Sequence, residues 1–228
     1  MTTAANAHPP VPGTAQQHAV EALRRSIVAG VLKPGERVNQ EDFAEQVGLS
    51  VAPVREALRV LEQEGQLTYL PRRGYFVTEL RFDDLAEIYE LRALLEARAA
   101  RHALPSLDDD AIARITDAAR ECVAAAAAGD VAAELAANRR FHFAILEAPG
   151  QPHVLRMIQL LWDSTEAYRA MYYNSPTERA ASIDAHDSIL AAIGDRDADR
   201  LVAELDAHRG RALSVLEEVL RPREQPPS

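Results

Sequence analysis

The sequence predicts a mainly α-helical protein: an N-terminal winged helix-turn-helix followed by an all-helical antiparallel bundle. Three observations carry that prediction. Residues 40–63 hold two helical patterns around a Gly-Leu-Ser break, and residues 67–80 read as a hairpin with two arginines at its turn. Everything after residue 81 has helical periodicity only.

Residues 1–13, with Pro9, Pro10, Pro12 and Gly13, lack periodicity and are expected to form a disordered tail, as is Pro222–Ser228. The DNA-reading unit is expected over residues 14–80. Gln40–Val47 places Phe43, Ala44 and Val47 on one face. Gly48 then supplies backbone freedom and Ser50 a helix cap. The next helix, Val51 to about Gln63, turns Val54, Leu58 and Leu61 inward and Arg55, Arg59 and Glu62 outward. Pro53 is tolerable because a first-turn N–H has no intrahelical partner. Leu67–Leu70 and Tyr75–Leu80 read as strands joined by Pro71-Arg72-Arg73-Gly74, a wing tip suited to phosphates.

Such a unit sends the N-terminal end of its second helix into the major groove of double-stranded DNA. Ser50, Val51, Ala52 and Pro53 open that helix, and the short Val51 and Ala52 allow close approach. Arg55 reaches a base edge or a phosphate, and Gln40 and Arg59 border it. Arg72, Arg73 and Gly74 form the wing contact. The plainer reading, a helical hairpin beside a solvated turn, leaves the arginine-tipped hairpin unexplained.

The net charge of −10 looks wrong for such a protein until it is divided. Residues 1–80 carry 8 basic and 9 acidic side chains, against 17 and 26 in the remainder. DNA affinity must therefore come from clustered arginines, and the acidic second half is no nucleic-acid platform. The single cysteine, Cys122, excludes an internal disulfide and a thiolate cluster. No apolar run reaches membrane-spanning length and no leader opens the chain, so a soluble, cytoplasmic protein without a membrane partner is expected.

Six helices are expected in the bundle, residues 81–221: Phe82–Ala103, Leu107–Ala128, Asp130–Ala148, Pro152–Tyr173, Pro176–Gly194 and Ala198–Arg221. Pro105, Gly129, Pro149-Gly150, Pro176 and Gly194 punctuate them, and such short connections imply antiparallel neighbours. Polar residues interrupt the apolar stripes. The third helix reads Leu135, Asn138, His142, Ile145; the fifth, Ile183, His186, Leu190, Ile193; the sixth, Leu201, Leu205, His208, Ala212. A buried polar group without a partner costs ~1–3 kcal/mol. These four either satisfy one another separately or share a divalent cation, for which imidazoles suit Zn, Ni or Cu. Arg92 lies on the stripe Leu85, Ile88, Arg92, Leu95. It either pairs with an acid such as Glu96 or clamps a ligand carboxylate. A homodimer is expected through apolar surface on the first and fourth bundle helices, with Leu160, Leu161 and Trp162 on the latter.

Asn39 to Ser50, Pro53-Val54-Arg55-Glu56-Ala57-Leu58-Arg59 and Leu61-Glu62-Gln63-Glu64-Gly65 resemble the DNA-binding domain of GntR-family bacterial regulators. Leu23–Gly30 and Leu32-Lys33-Pro34-Gly35 resemble that family's first helix and turn. The family often has Ser-Arg-Thr-Pro where this chain has Ser50-Val51-Ala52-Pro53. Glu90-Leu91-Arg92, Asn138 with Phe141-His142, Ala185-His186 and His208 resemble the FCD effector domain of the FadR-type branch, in its six-helix VanR-like form. The resemblance implies His142, His186 and His208 as metal ligands, with Asn138 where the family usually has Asp. A neutral amide is the weaker ligand, so Asn138 either lowers metal affinity or contacts the effector. The implied protein is a metabolite-responsive regulator, most often a repressor, dimeric on a pseudo-palindromic operator, with a divalent metal (Zn or Ni) and a small carboxylate effector. The competing expectation is a metal-dependent helical-bundle enzyme with an accessory DNA-binding domain, but no carboxylate base lies on the stripes beside those histidines.

Overall fold

The computed structural model describes residues 14–224, with side chains to residue 221. Both predicted tails fall wholly or partly outside this range. Helix α1 (Ala15–Val28) starts at a capping box, the Thr14 hydroxyl accepting from the Gln17 N–H. Helix α2 (Gln40–Val47) is capped by Asn39 and ends on Gly48, whose φ of 67° is open to glycine at little cost. Helix α3 (Val51–Gln63) turns back across α1. Leu23, Val54, Leu58 and Leu61 are wholly enclosed between these helices.

The wing strands are β2 (Leu67–Leu70) and β3 (Gly74–Val77), with Tyr69 opposite Tyr75. A third strand, β1 (Arg37–Val38), pairs with β3 and gives the sheet order β1-β3-β2. At two residues it is too short for alternation to show in the sequence. Ser50 stands at the N-cap of α3 but makes no side-chain cap bond. A serine cap is expected to accept from the second or third helical N–H, and the third residue here is Pro53, which has none.

The bundle contains α4 (Phe82–Ala103), a 3-10 turn (Leu104–Ser106), α5 (Asp109–Ala128), α6 (Val131–Leu146), α7 (Pro152–Ser164), α8 (Glu166–Tyr173), α9 (Pro176–Gly194) and α10 (Ala198–Glu224). Asp108 and Asp130 cap α5 and α6 from outside, which trims the predicted starts by one or two residues. Ile115, Phe141, Ile145, Ile189, Ile193 and Leu201 form its main core.

Two departures matter. The predicted helix Pro152–Tyr173 is two helices, broken at Thr165, whose φ of −107° and ψ of 8° leave the helical region. Its hydroxyl bonds back to the Leu161 and Trp162 carbonyls at 3.2 Å, offering those acceptors an alternative to the helical ladder. The bundle therefore has seven α-helices among the described residues, not six. The last helix also runs past Arg221 to Glu224, three residues into the expected tail.

Helix α8 lies where the two domains meet. Ala167 packs on the core of the DNA-binding domain, and the Tyr168 hydroxyl accepts the Leu80 N–H at 2.7 Å. Gly65, at φ 76°, closes the same junction: a Cβ there would sit 3.2 Å from Ser164 Cβ. Val28 at the end of α1 packs against the cluster of Tyr172 and Tyr173.

Candidate DNA face and effector chamber

Five of the ten residues expected at DNA share one concavity of ≈ 490 Å³; Ser50, Val51, Ala52, Pro53 and Arg73 lie outside its lining. Gln40, Arg55, Arg59, Arg72 and Gly74 line it, together with Arg37 and Tyr69. Arg55 Nε donates to Gln40 Oε1 at a loose 3.4 Å, so its guanidinium is steered but free. Arg59 pairs with exposed Glu56 at 3.1 Å, a contact easily exchanged for a phosphate. The wing turn closes with Arg73 N–H to the Leu70 carbonyl, and Arg72 takes a left-handed φ of 64°. Arg73 lies over the Phe76 ring at 5.2 Å. Ser50 and Ala52 are exposed, with Val51 and Pro53 half-buried behind them. Arg37 did not stand out in the sequence because β1 is too short to show there; its pairing to β3 is what brings Arg37 beside Gly74, while Tyr69 lies on the expected strand β2.

The second site is enclosed by α4, α6, α7, α8 and α10, around ≈ 30 Å³ of free space. Its floor is Glu96 of α4, 2% exposed, which accepts from Arg92 Nε at 2.8 Å, from Trp162 Nε1 at 2.7 Å and from Arg209. Burial opposes this carboxylate, but Arg92 and Arg209 outweigh it and hold its pKa below the ordinary value. Arg209 is held on its other side by Asp206. Arg92 thus pairs with Glu96 and also lines the chamber.

The three striped histidines converge. Their ring centroids lie 5.2–5.5 Å apart, with His142 stacked on His208. One ligand atom from each falls within 4.8 Å of the others. His186 Nε2 lies 3.1 Å from Asn138 Oδ1, and the Nδ1 atoms of His142, His186 and His208 have no hydrogen-bond partner. With the Asn138 carbonyl accepting, His186 carries its proton on Nε2 and presents a lone pair at Nδ1. Burial lowers all three pKa values: that of His142 well below the ordinary one, His186 to about 3 and His208 to about 4. The repulsion of neighbouring cations and imidazoles adds to it. Neutral imidazoles with unused lone pairs fit a borderline divalent cation.

The pairing of Arg92 with Glu96 is as the sequence suggested, but nothing in the sequence signalled the further Glu96 contacts to Trp162 and Arg209, nor Arg169, Tyr89 and Tyr172 lining the chamber. Sequence reasoning took Trp162 for surface, but Trp162 is 1% exposed. On α7, Ile158 and Trp162 share the inward face one turn apart, while Met157 and Leu160 point out.

A winged helix-turn-helix joined to a helical bundle with a polar chamber defines a DNA-binding transcriptional regulator. Residues 15–77 match the family described as bacterial regulatory proteins, gntR family, and residues 87–211 match the FCD domain. The chain belongs to the GntR family, in its FCD-bearing branch. It is 30% identical to the Nta operon transcriptional regulator of Aminobacter aminovorans, over 83% of this chain and 88% of that one. It is also 30% identical to the transcriptional regulator McbR of Escherichia coli, over 77% and 80%. The solved structure of E. coli McbR/YncC superposes with a TM-score of 0.80 at 27% identity, covering 91% of this chain and 99% of that one. The transcriptional repressor GlaR of E. coli matches at 24% identity over 87% and 94%. These families and relatives are regulators, which sets the enzyme reading aside. No helix among the described residues is long and apolar enough to cross a membrane.

Replacing Arg72 and Arg73 together with Ala is expected to weaken binding to every DNA sequence and to lower the salt slope by about one per arginine. Arg55→Ala should instead cost ~1–3 kcal/mol on the operator and much less on random DNA. Fluorescence anisotropy against salt concentration checks both.

The histidines predict acid lability in chelator-treated protein. Their folded pKa values lie below the ~6.5 of an unfolded histidine, so the unfolded chain protonates first as pH falls. The stability they contribute is present above pH ~6.5 and drains away toward pH 4, by up to ~1.4 kcal/mol per pH unit for each imidazole. Urea unfolding from pH 7.5 to 5 measures it; a flat midpoint would mean the imidazoles are solvated.

Proposed function

We propose that this protein is a metabolite-responsive repressor whose bundle holds one divalent metal and a small organic acid that alters operator affinity. The observation that carries the reading is the convergence of His142, His186 and His208 with every Nδ1 unpartnered. Those three imidazoles would hold the cation, Zn or Ni by ligand type. When bound, it supplies a Lewis-acidic anchor for a carboxylate oxygen. Asn138, through His186 Nε2, fixes the tautomer and ring orientation of that ligand. Arg92 faces the same space with its remaining donors as a further effector contact. Helix α8 offers the route outward, since it lines the chamber and holds the Leu80 amide through Tyr168.

The protein acts as a homodimer, which lets two recognition helices read a pseudo-palindrome. The partner surface is the outer face of α4 and α7, two helices packed on each other. Leu94 is 71% exposed on α4, where Leu91 is exposed too, and Met157 and Leu160 are exposed on α7. Four large apolar side chains on one helix pair suit a second copy of the same face.

Purified protein should carry about one divalent metal per chain by elemental analysis. His208→Ala should lose it while circular dichroism stays helical, and the operator response to a carboxylate should vanish with it. Three separately satisfied histidines would show no metal and independent stability losses instead. Asn138→Asp should tighten the metal if residue 138 touches it and change little if it only orients His186. Leu94→Glu should turn the dimer into a monomer on sizing at micromolar concentration; an unchanged elution volume would move the interface elsewhere.

A further inference from the structure

Arg169, on α8, is 5% exposed, and none of its three guanidinium nitrogens has a hydrogen-bond partner. No carboxylate among the described residues forms an ion pair with it: Glu166, one turn back on α8, acts on it only at longer range, and the Trp162 ring lies 4.2 Å away. The other chamber cations are accounted for. Glu96 holds Arg92 and Arg209, and Asp206 holds Arg209 from the rim. The imidazoles are neutral. A buried guanidinium without an anion is costly, and α8 keeps it in place at that cost. A second buried group lining the same chamber is also unsatisfied: the Tyr89 hydroxyl on α4.

We infer that Arg169, assisted by the Tyr89 hydroxyl, is an oxyanion anchor, and that the chamber takes a compact ligand with two carboxylates. One carboxylate meets the imidazole cluster and the other meets Arg169. This rests on the metal-and-acid reading above for the first carboxylate only. The second follows from the unpaired guanidinium itself. Trp162 is the common wall between the two ends: its ring is 5.3 Å from that of His142 and 4.2 Å from Arg169 Cζ. The ≈ 30 Å³ of free space holds roughly two waters, so a ligand reaching from His142 to Arg169 across the Trp162 ring has to be short and has to displace lining side chains as it enters.

The test uses the full-length protein, zinc-loaded and chelator-treated, titrated calorimetrically with malonate and with acetate. In the zinc-loaded wild type, malonate should bind at least about tenfold tighter than acetate. Arg169→Met should lose at least about tenfold in malonate affinity, leave acetate within twofold and keep the zinc stoichiometry. It should also melt above the ligand-free wild type, because it removes an uncompensated buried charge. A merely structural arginine predicts the opposite, a lower melting temperature. Arg169→Lys should retain part of the malonate preference. Equal affinities for malonate and acetate in the wild type would overturn the two-carboxylate ligand. Wild-type malonate affinity in Arg169→Met would overturn the anchor. If the wild type takes up no zinc, the metal reading fails by itself, and the anchor is still judged by whether Arg169→Met loses malonate binding in chelated protein.

Discussion

One buried carboxylate holds the chamber together. Glu96 joins α4 to α7 through the Trp162 indole and to α10 through Arg209, while gripping Arg92 one turn back along its own helix. Three donors on two oxygens offset its desolvation, so it stays ionised inside the bundle. Losing it would leave two buried guanidinium groups facing each other, a loss of the kind that costs ~3–5 kcal/mol. The positions of Trp162, and hence of His142 and Arg169 against it, follow from this knot.

The break at Thr165 gives the knot its reach. A continuous helix from Pro152 to Tyr173 would have continued the register of Trp162, whereas the break lets α8 set off on its own course. Consecutive residues then face different domains. Tyr168 holds the Leu80 amide at the exit of the wing sheet, and Arg169 lies in the chamber. With Ala167 on the core beneath α1 and α3, a short helix of eight residues touches both the ligand space and the DNA-reading unit.

Much of this was legible in the sequence, for identifiable reasons. The helix-turn-helix and wing depend on local signals, caps, a left-handed glycine and a Pro-Arg-Arg-Gly turn, and α2 and α3 appear at their predicted residues. The histidines showed because each interrupts an apolar stripe. Arg169 did not, since Tyr168, Arg169 and Tyr172 show no clean apolar stripe to interrupt, and its burial comes from α7 and α4 closing over it. Trp162 was misplaced for a related reason: Leu160, Leu161 and Trp162 are all apolar, so composition does not tell which one faces inward. The Thr165 break turns on a back-bonding hydroxyl, a choice threonine makes in some helices and not in others.

The unsatisfied atoms of the chamber also bear on how long the protein survives in a cell. Unpartnered nitrogens on three imidazoles and on the Arg169 guanidinium cost the fold free energy, which a ligand that met them would recover. At a hundredfold excess over its dissociation constant, an occupant adds about 2.7 kcal/mol of stability, roughly a hundredfold drop in the unfolded fraction offered to proteases. A ligand of the kind proposed would thus tie the turnover of the chain to its own supply. Copy number, and not operator affinity alone, would then follow how much of such a ligand had been present.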